Sequence, residues 1–197
     1  PFCRGRLLNV LEKDHGQYDT VRSLFWATGA ALMVRPADWN AAGGFDARFF
    51  AHFEEIDFCW RLRARARKIV CITDSVVYHV GGGTLPADNP RKTYLNFRNS
   101  LTMLYKNLPD DELQHVLCVR KWLDGMAWFK FFVSGDFANA KAVRRARKDF
   151  HKWKHQFDPE RKKNLENTTL FDIPERIQRS LIYAFYVQGK KTFAQFM

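Results

Sequence analysis

Residues 43–83, GGFDARFFAHFEEIDFCWRLRARARKIVCITDSVVYHVGGG, hold the acids, arginines and histidine on which the reading of this chain turns. Glu54, Glu55 and Asp57 crowd the start of a segment that reads as a helix from Glu54 to about Ala66, directly after the aromatic run Phe49-Phe50. Acids at its head and arginines at its far end suit the two poles of a helix dipole. Two readings are therefore open: the acids complement the dipole, or they face a pocket beside the aromatic residues.

Working outward, Leu24 to Arg35 (LFWATGAALMVR) has the nearly continuous apolar character of a buried strand, interrupted at Thr28-Gly29 where a backbone or ligand approaches closely. Pro36 opens a short helix and Gly43-Gly44 closes it. Beyond the acid helix, two short β signals, Lys68 to Ile72 and Ser75 to Val80, are joined by a Thr-Asp turn and stopped by Gly81-Gly82-Gly83. After Pro90 apolar residues recur at helical spacing. Tyr94 to Tyr105, Glu112 to Val133, the basic stretch Lys141 to Lys154, Asp158 to Glu166 and Pro174 to Phe196 all read as helical.

A chain of 197 residues with 46% hydrophobic content can bury one ordinary core plus a helical extension. Its net charge of +11 calls for a polyanionic neighbour without choosing among nucleic acid, an anionic membrane and a phosphorylated substrate. Cys3, Cys59, Cys71 and Cys118 are widely spaced with no CxxC, so they read as reduced, buried thiols of a cytosolic chain. The opening at Pro1, in a polar stretch with no signal segment, suggests a piece of something longer. No apolar run approaches the roughly 20 residues a bilayer span needs.

Phe49-Phe50, then Glu54-Glu55-Ile56-Asp57 with Arg61, then His79, resemble the acceptor-side motif of the family-2 glycosyltransferases. That motif is an FF followed by E-D-x-D-x-x-x-R and, further along, a His. The match covers about Phe25 to Thr84, and NPRKTYLNFRNSLTMLYKNLP after it looks like a bacterial cell-envelope subset of the family. The resemblance implies an α/β fold. Residues 1–90 would be the carboxy-terminal, acceptor-side part of a GT-A (nucleotide-diphospho-sugar transferase) mixed sheet, and residues 91–197 an α-helical tail.

It also implies chemistry. Inverting sugar transfer needs a carboxylate to take the acceptor hydroxyl's proton as the new bond forms. The family's base is the second acid of the pair, which falls on Glu55, one methylene longer than the usual Asp. Glu54 and Asp57 would support it, the latter with Arg61, and aromatic neighbours such as Phe53 and Phe58 would lift its pKa. Thr28, Gly29 and Ala30 match the small residues against which the family lays a sugar, and His79 the ligand of a divalent metal, manganese or magnesium. That metal is expected only together with the donor-nucleotide half, whose paired aspartates have no counterpart here. The partners implied are a nucleotide-diphospho-sugar donor and a glycan or lipid-linked acceptor, with the enzyme in the cytoplasm at the inner face of the cytoplasmic membrane. The family's helix-ending Gly is Ala66 here and the aromatic after it is Arg67, so that helix end is expected to be recast or frayed. No QxxRW follows the acid helix, which favours limited over processive addition.

In the tail, Val119, Trp122, Met126, Phe129 and Val133 define one helical face, widened by Trp128, Phe131 and Phe132, beside the basic helix. Such a face either lies on an anionic membrane or packs on the rest of the chain. A nucleic-acid-binding module is the rival reading from another class, but no reader motif is present and the acid cluster would repel a phosphate backbone. A non-catalytic interaction module is the third.

Overall fold

A computed structural model describes residues 16–78, 89–177, 181–192 and 195. Of these, 62% are helical and the one sheet has two strands, which overturns the expected α/β mixed sheet. Strand β1 (Arg22–Leu24) pairs antiparallel with β2 (Ile69–Cys71), Leu24 opposite Ile69. Between them lie α1 (Pro36–Ala42) and α2 (Glu54–Ala64). Then follow α3 (Pro90–Asn107), α4 (Asp110–Val133), α5 (Phe137–Trp153), α6 (Asp158–Glu166) and α7 (Leu181–Tyr186).

The correction has a physical reason. A strand needs a neighbour to take up its backbone N–H and C=O groups. β2 offers three residues of ladder, and β1 stops with it at Leu24. The apolar residues that follow pack on α2 as irregular chain. Phe25 meets Trp60 edge to face at 5.4 Å, and Leu32 and Val34 join Ala42, Phe58 and Leu62 in a small core. Thr28 caps a single 3-10 turn, Gly29–Ala31, in place of the strand interior expected there. Ser75 to Tyr78 form no strand, and Val76, Val77 and Tyr78 are exposed; His79, Val80 and Gly81 to Gly83 lie outside the described residues.

The short helices follow local signals. Pro36 sits in the first turn of α1, where its missing N–H leaves no gap, and Gly43 closes the helix in the left-handed region at φ 83°. Gly44 is also left-handed, at φ 62°, and a Cβ there would come within 2.9 Å of the Trp39 ring. That ring packs at 4.9 Å against both Phe45 and Phe58.

The main core joins the acid helix to the tail. Phe49 and Trp60 pack with Leu101, Met103 and Tyr105 of α3, Leu113 of α4, Phe150 of α5 and Phe157 beside α6. Three cysteines fall among the described residues, all free: Cys59 is buried, Cys71 half-buried and Cys118 exposed on α4, so the expectation of buried thiols fails at Cys118. No described helix is long and apolar enough to cross a membrane.

The end of α2 is neither recast nor frayed. Ala66 takes the left-handed position itself at φ 58°; its N–H reaches Arg63 O at 2.9 Å and the Arg67 N–H reaches Leu62 O at 3.0 Å. This is a Schellman closure built on an alanine. Ala66→Gly is expected to relieve the strain and raise stability by up to about 1 kcal/mol, seen as a higher urea midpoint at unchanged m-value.

Candidate active site

The loop that delivers the acids is strained. Phe50, His52 and Phe53 all have positive φ, at 66°, 70° and 74°. Phe50 sits at the centre of a γ-turn closed by Ala51 N–H donating to Phe49 O at 2.8 Å. Each such residue costs about 1–3 kcal/mol unless its surroundings hold it. Here the holding comes from α3. Asn99, buried, donates its side-chain amide to the carbonyls of Phe49, Ala51 and His52 at 3.0, 2.8 and 2.8 Å. Arg98 beside it donates to the carbonyls of Arg48 and Phe49. Strain of this kind at the mouth of a helix marks a place where position of side chains outweighs local comfort.

α2 then sends its acids in opposite directions, because residues two apart on a helix lie about 200° around it. Asp57 points inward and is fully buried. Its Oδ2 accepts from Arg61 Nε and Nη2 at 3.1 and 2.9 Å and from Lys106 Nζ at 2.9 Å, and its Oδ1 accepts from Asn107 Nδ2 at 2.8 Å. Arg61 spends its remaining donors on the carbonyls of Ala42 and Gly44. Lys106 bridges to Asp46 Oδ2 at 2.9 Å, and Asp46 is also gripped by Arg48. Burial alone would raise the Asp46 carboxyl, but the Arg48 hydrogen bonds and the Lys106 charge outweigh it and hold it well below the ordinary range.

Glu55 faces the other way. Its Cβ lies 3.9 Å from where a Cβ on Gly29 would stand, next to the exposed turn Thr28 to Ala30. It is half-buried, and its Oε2 has no hydrogen-bond partner. Burial pushes its carboxyl above the ordinary range and the charge of Glu54 adds to that, while the backbone N–H groups of Phe53 and Glu55 oppose it. Glu54 Oε2 and His52 Nε2 are likewise buried and unpartnered. Burial lowers the His52 pKa and Lys92 adds to that, with Glu54 opposing. Three acid or base atoms without partners thus fall within four residues, whereas the buried carboxylates Asp57 and Asp124 are closely paired.

Comparison with family models, with curated proteins and with solved structures finds no match to this chain. The site therefore stands on its own residues. Glu55 is brought together with Gly29 and its neighbours Thr28 and Ala30, and Asp57 with Arg61. The two pairs sit on opposite sides of α2, and Arg61 is engaged by Asp57 and two carbonyls. A cavity of about 360 Å³ opens on the Arg61 side, with Gly43, Gly44, Asp46, Arg65 and Lys163 in its wall; Glu55 is not part of it.

His79, the metal ligand expected in this chain, lies outside the described residues. Among the described residues no three His, Cys, Asp or Glu side chains converge as a metal site. The described residues hold no ligand set for a divalent ion, and no chemical step is assigned to one.

Sequence reasoning did not find Lys106, Asn107 or Asn99. Lys106 and Asn107 are polar positions at the end of an otherwise amphipathic helix, and nothing local says they turn inward. His52 had a signal, a histidine two residues before paired acids, that went unused. Lys106→Met is expected to lower stability by about 3–5 kcal/mol in chemical unfolding, because it leaves Asp57 and Asp46 partly uncompensated. The same network makes the fold acid-sensitive. A carboxyl held low in the folded state stabilises fully above its unfolded pKa, and Asp46 loses that contribution as pH falls towards its native value.

Proposed function

We propose that this chain is the acceptor-side portion of an inverting nucleotide-sugar glycosyltransferase, with Glu55 as the base that takes the acceptor's proton. The observation that carries the reading is the Glu55 carboxylate. It is half-buried, raised in pKa and unpartnered at Oε2, it stands beside the exposed Thr28 to Ala30 turn, and a strained loop pinned by Asn99 delivers it. A carboxylate wholly committed to the fold, like Asp57, could not do this work.

In the proposed step the acceptor hydroxyl lies between Glu55 and the turn at Gly29. As its oxygen bonds to the anomeric carbon, the proton passes to Glu55 and the bond to the nucleotide diphosphate breaks, with that group carrying off the electron pair. Desolvation makes Glu55 a stronger base than a free glutamate. The exposed turn, with Gly29 removing a side chain from its centre, leaves room for a sugar of a glycan or lipid-linked acceptor. Asp57 acts indirectly: with Arg61 and Lys106 it fixes the roll of α2, and so the direction of Glu55. The donor half of the enzyme would bind the nucleotide. Exposed Val21, Val70 and Ile72, in and beside the two strands, supply apolar surface for such a half to cover. A nucleotide-sugar donor fits the cytoplasmic face of the membrane.

The test uses the complete enzyme with its nucleotide-sugar donor. Glu55→Gln is expected to lower kcat by about 10²–10⁴-fold with little change in donor KM. In the wild type, kcat should rise with pH through an acid limb above the 4.5 of an ordinary glutamate, since the ionised form is the base. The stability sign is opposite. A carboxyl raised by folding stabilises most below its unfolded pKa and loses that contribution as pH climbs through its folded value, so Glu55→Gln should keep or raise Tm at neutral pH. An active Glu55→Gln with an unaltered pH profile would remove Glu55 from the reaction.

A further inference from the structure

α4 and α5 form a helical hairpin turned by Ser134, Gly135 and Asp136. Asp124, buried in the middle of α4, accepts from Arg120 of its own helix at 2.9 Å and from Arg147 of α5 at 2.5 Å. That bridge locks the roll of α4, with Leu113 also buried. The opposite face, about 180° away, carries Val119, Trp122, Met126, Phe129 and Val133 at the alternating spacing of one helical stripe. The stripe is uncovered by any described residue: Trp122 is 74% exposed, Met126 65% and Phe129 58%. Packing on the rest of the chain, the other reading of this face, is not what the described residues do with it.

Beyond the first turn of α4, where Asp110 and Asp111 are exposed, the exposed charges of the hairpin have one sign. From Leu113 to Phe157 no acid is exposed: Asp124 is buried, Asp149 is half-buried against Tyr94 and Arg145, and Asp136 caps α5. The exposed cations in the same span include Lys121 and Lys130 on α4 and Lys141, Arg144, Lys148 and Lys152 on the open face of α5. We propose that the α4–α5 hairpin docks on an anionic lipid surface, the aromatic-apolar stripe of α4 sinking into the headgroup boundary and the cations holding phosphate headgroups.

Charge complementarity selects this occupant. A second copy would bring one cationic hairpin against another, and a purely apolar partner would leave the exposed lysines unanswered. An interfacial pose suits the helix, since no described helix is long and apolar enough to span and the Asp124 bridge holds its other face in protein. Trp and Phe side by side with Lys and Arg are what an amphipathic helix lying in the interface presents.

The experiment is co-sedimentation of the whole chain with vesicles of phosphatidylcholine alone and of phosphatidylcholine with phosphatidylglycerol. Binding should be at least about tenfold tighter to the anionic vesicles and weaken as salt rises. The double variant Trp122→Ser, Phe129→Ser changes only exposed side chains and should lose at least about tenfold of that binding with its circular dichroism unchanged. Lys141→Glu with Lys148→Glu should erase the preference for anionic lipid. Equal affinity for both vesicles, or a Trp122→Ser, Phe129→Ser variant that binds like the wild type, would overturn the proposal. So would a dimer dissolved by that variant, or RNA retention in a gel at physiological salt without vesicle binding. Because no sugar transfer is measured, this result stands or falls apart from the role of Glu55.

Discussion

A lysine sealed inside the protein is the constraint around which the rest is arranged. Lys106 is buried, yet its ammonium has a carboxylate on each side, Asp57 and Asp46, and the rings of Phe49 and Phe157 at 5.0 and 5.8 Å. With Arg61 the group is two cations against two anions, which is what lets four charges leave water together. The members come from the chain before α2, from α2 and from the end of α3. Such a network contributes little net stability compared with an apolar core, but it tolerates few alternative arrangements. It therefore selects one roll of α2 and one docking of α3 among many that would bury similar apolar area.

That selection separates the two faces of α2. Helical geometry puts Asp57 and Glu55 on opposite sides, and the network claims the Asp57 side completely. On the other side stands Glu55, its carboxyl raised by burial and its Oε2 without a partner. The loop feeding this face carries three residues with positive φ and is held by one amide of Asn99 and the guanidinium of Arg98. Consecutive residues of α3 thus hold the loop's backbone while residues 106 and 107 hold the helix's charge. The helical region supports the acid helix along its length and is not a passive tail.

α4 and α5 repeat the same physical device at the periphery. Asp124 between Arg120 and Arg147 is another buried, compensated charge, and it again fixes the roll of a helix. Its consequence is that the apolar stripe points away from the core. Hydrophobicity alone would have turned Trp122, Met126 and Phe129 inward; the ion pair and the packing of α5 on α3 occupy the inner face first.

Much of the helical plan was legible in the sequence. Pro36 and Gly43 bracket α1, the acids and arginines polarise α2, Pro109 separates α3 from α4, and α6 spans Asp158–Glu166, because each signal acts within a turn or two of the backbone it governs. The stripe on α4 and the cations of α5 were readable for the same reason. Of the strands, Lys68 to Ile72 was legible, as β2, and the others were not. An apolar run such as residues 24–35 states only that burial is wanted, and whether it becomes a strand depends on a neighbour that sequence pattern cannot supply; here β2 pairs with three residues and stops. Nor could spacing tell which acid of Glu54, Glu55 and Asp57 is structural. That was decided by Lys106 and Asn107, some fifty residues away, whose side chains reach Asp57 only once α3 lies against α2. Local order is written in neighbouring residues, whereas the partnering of charges and the direction a face points arise only when distant elements compete for the same interior.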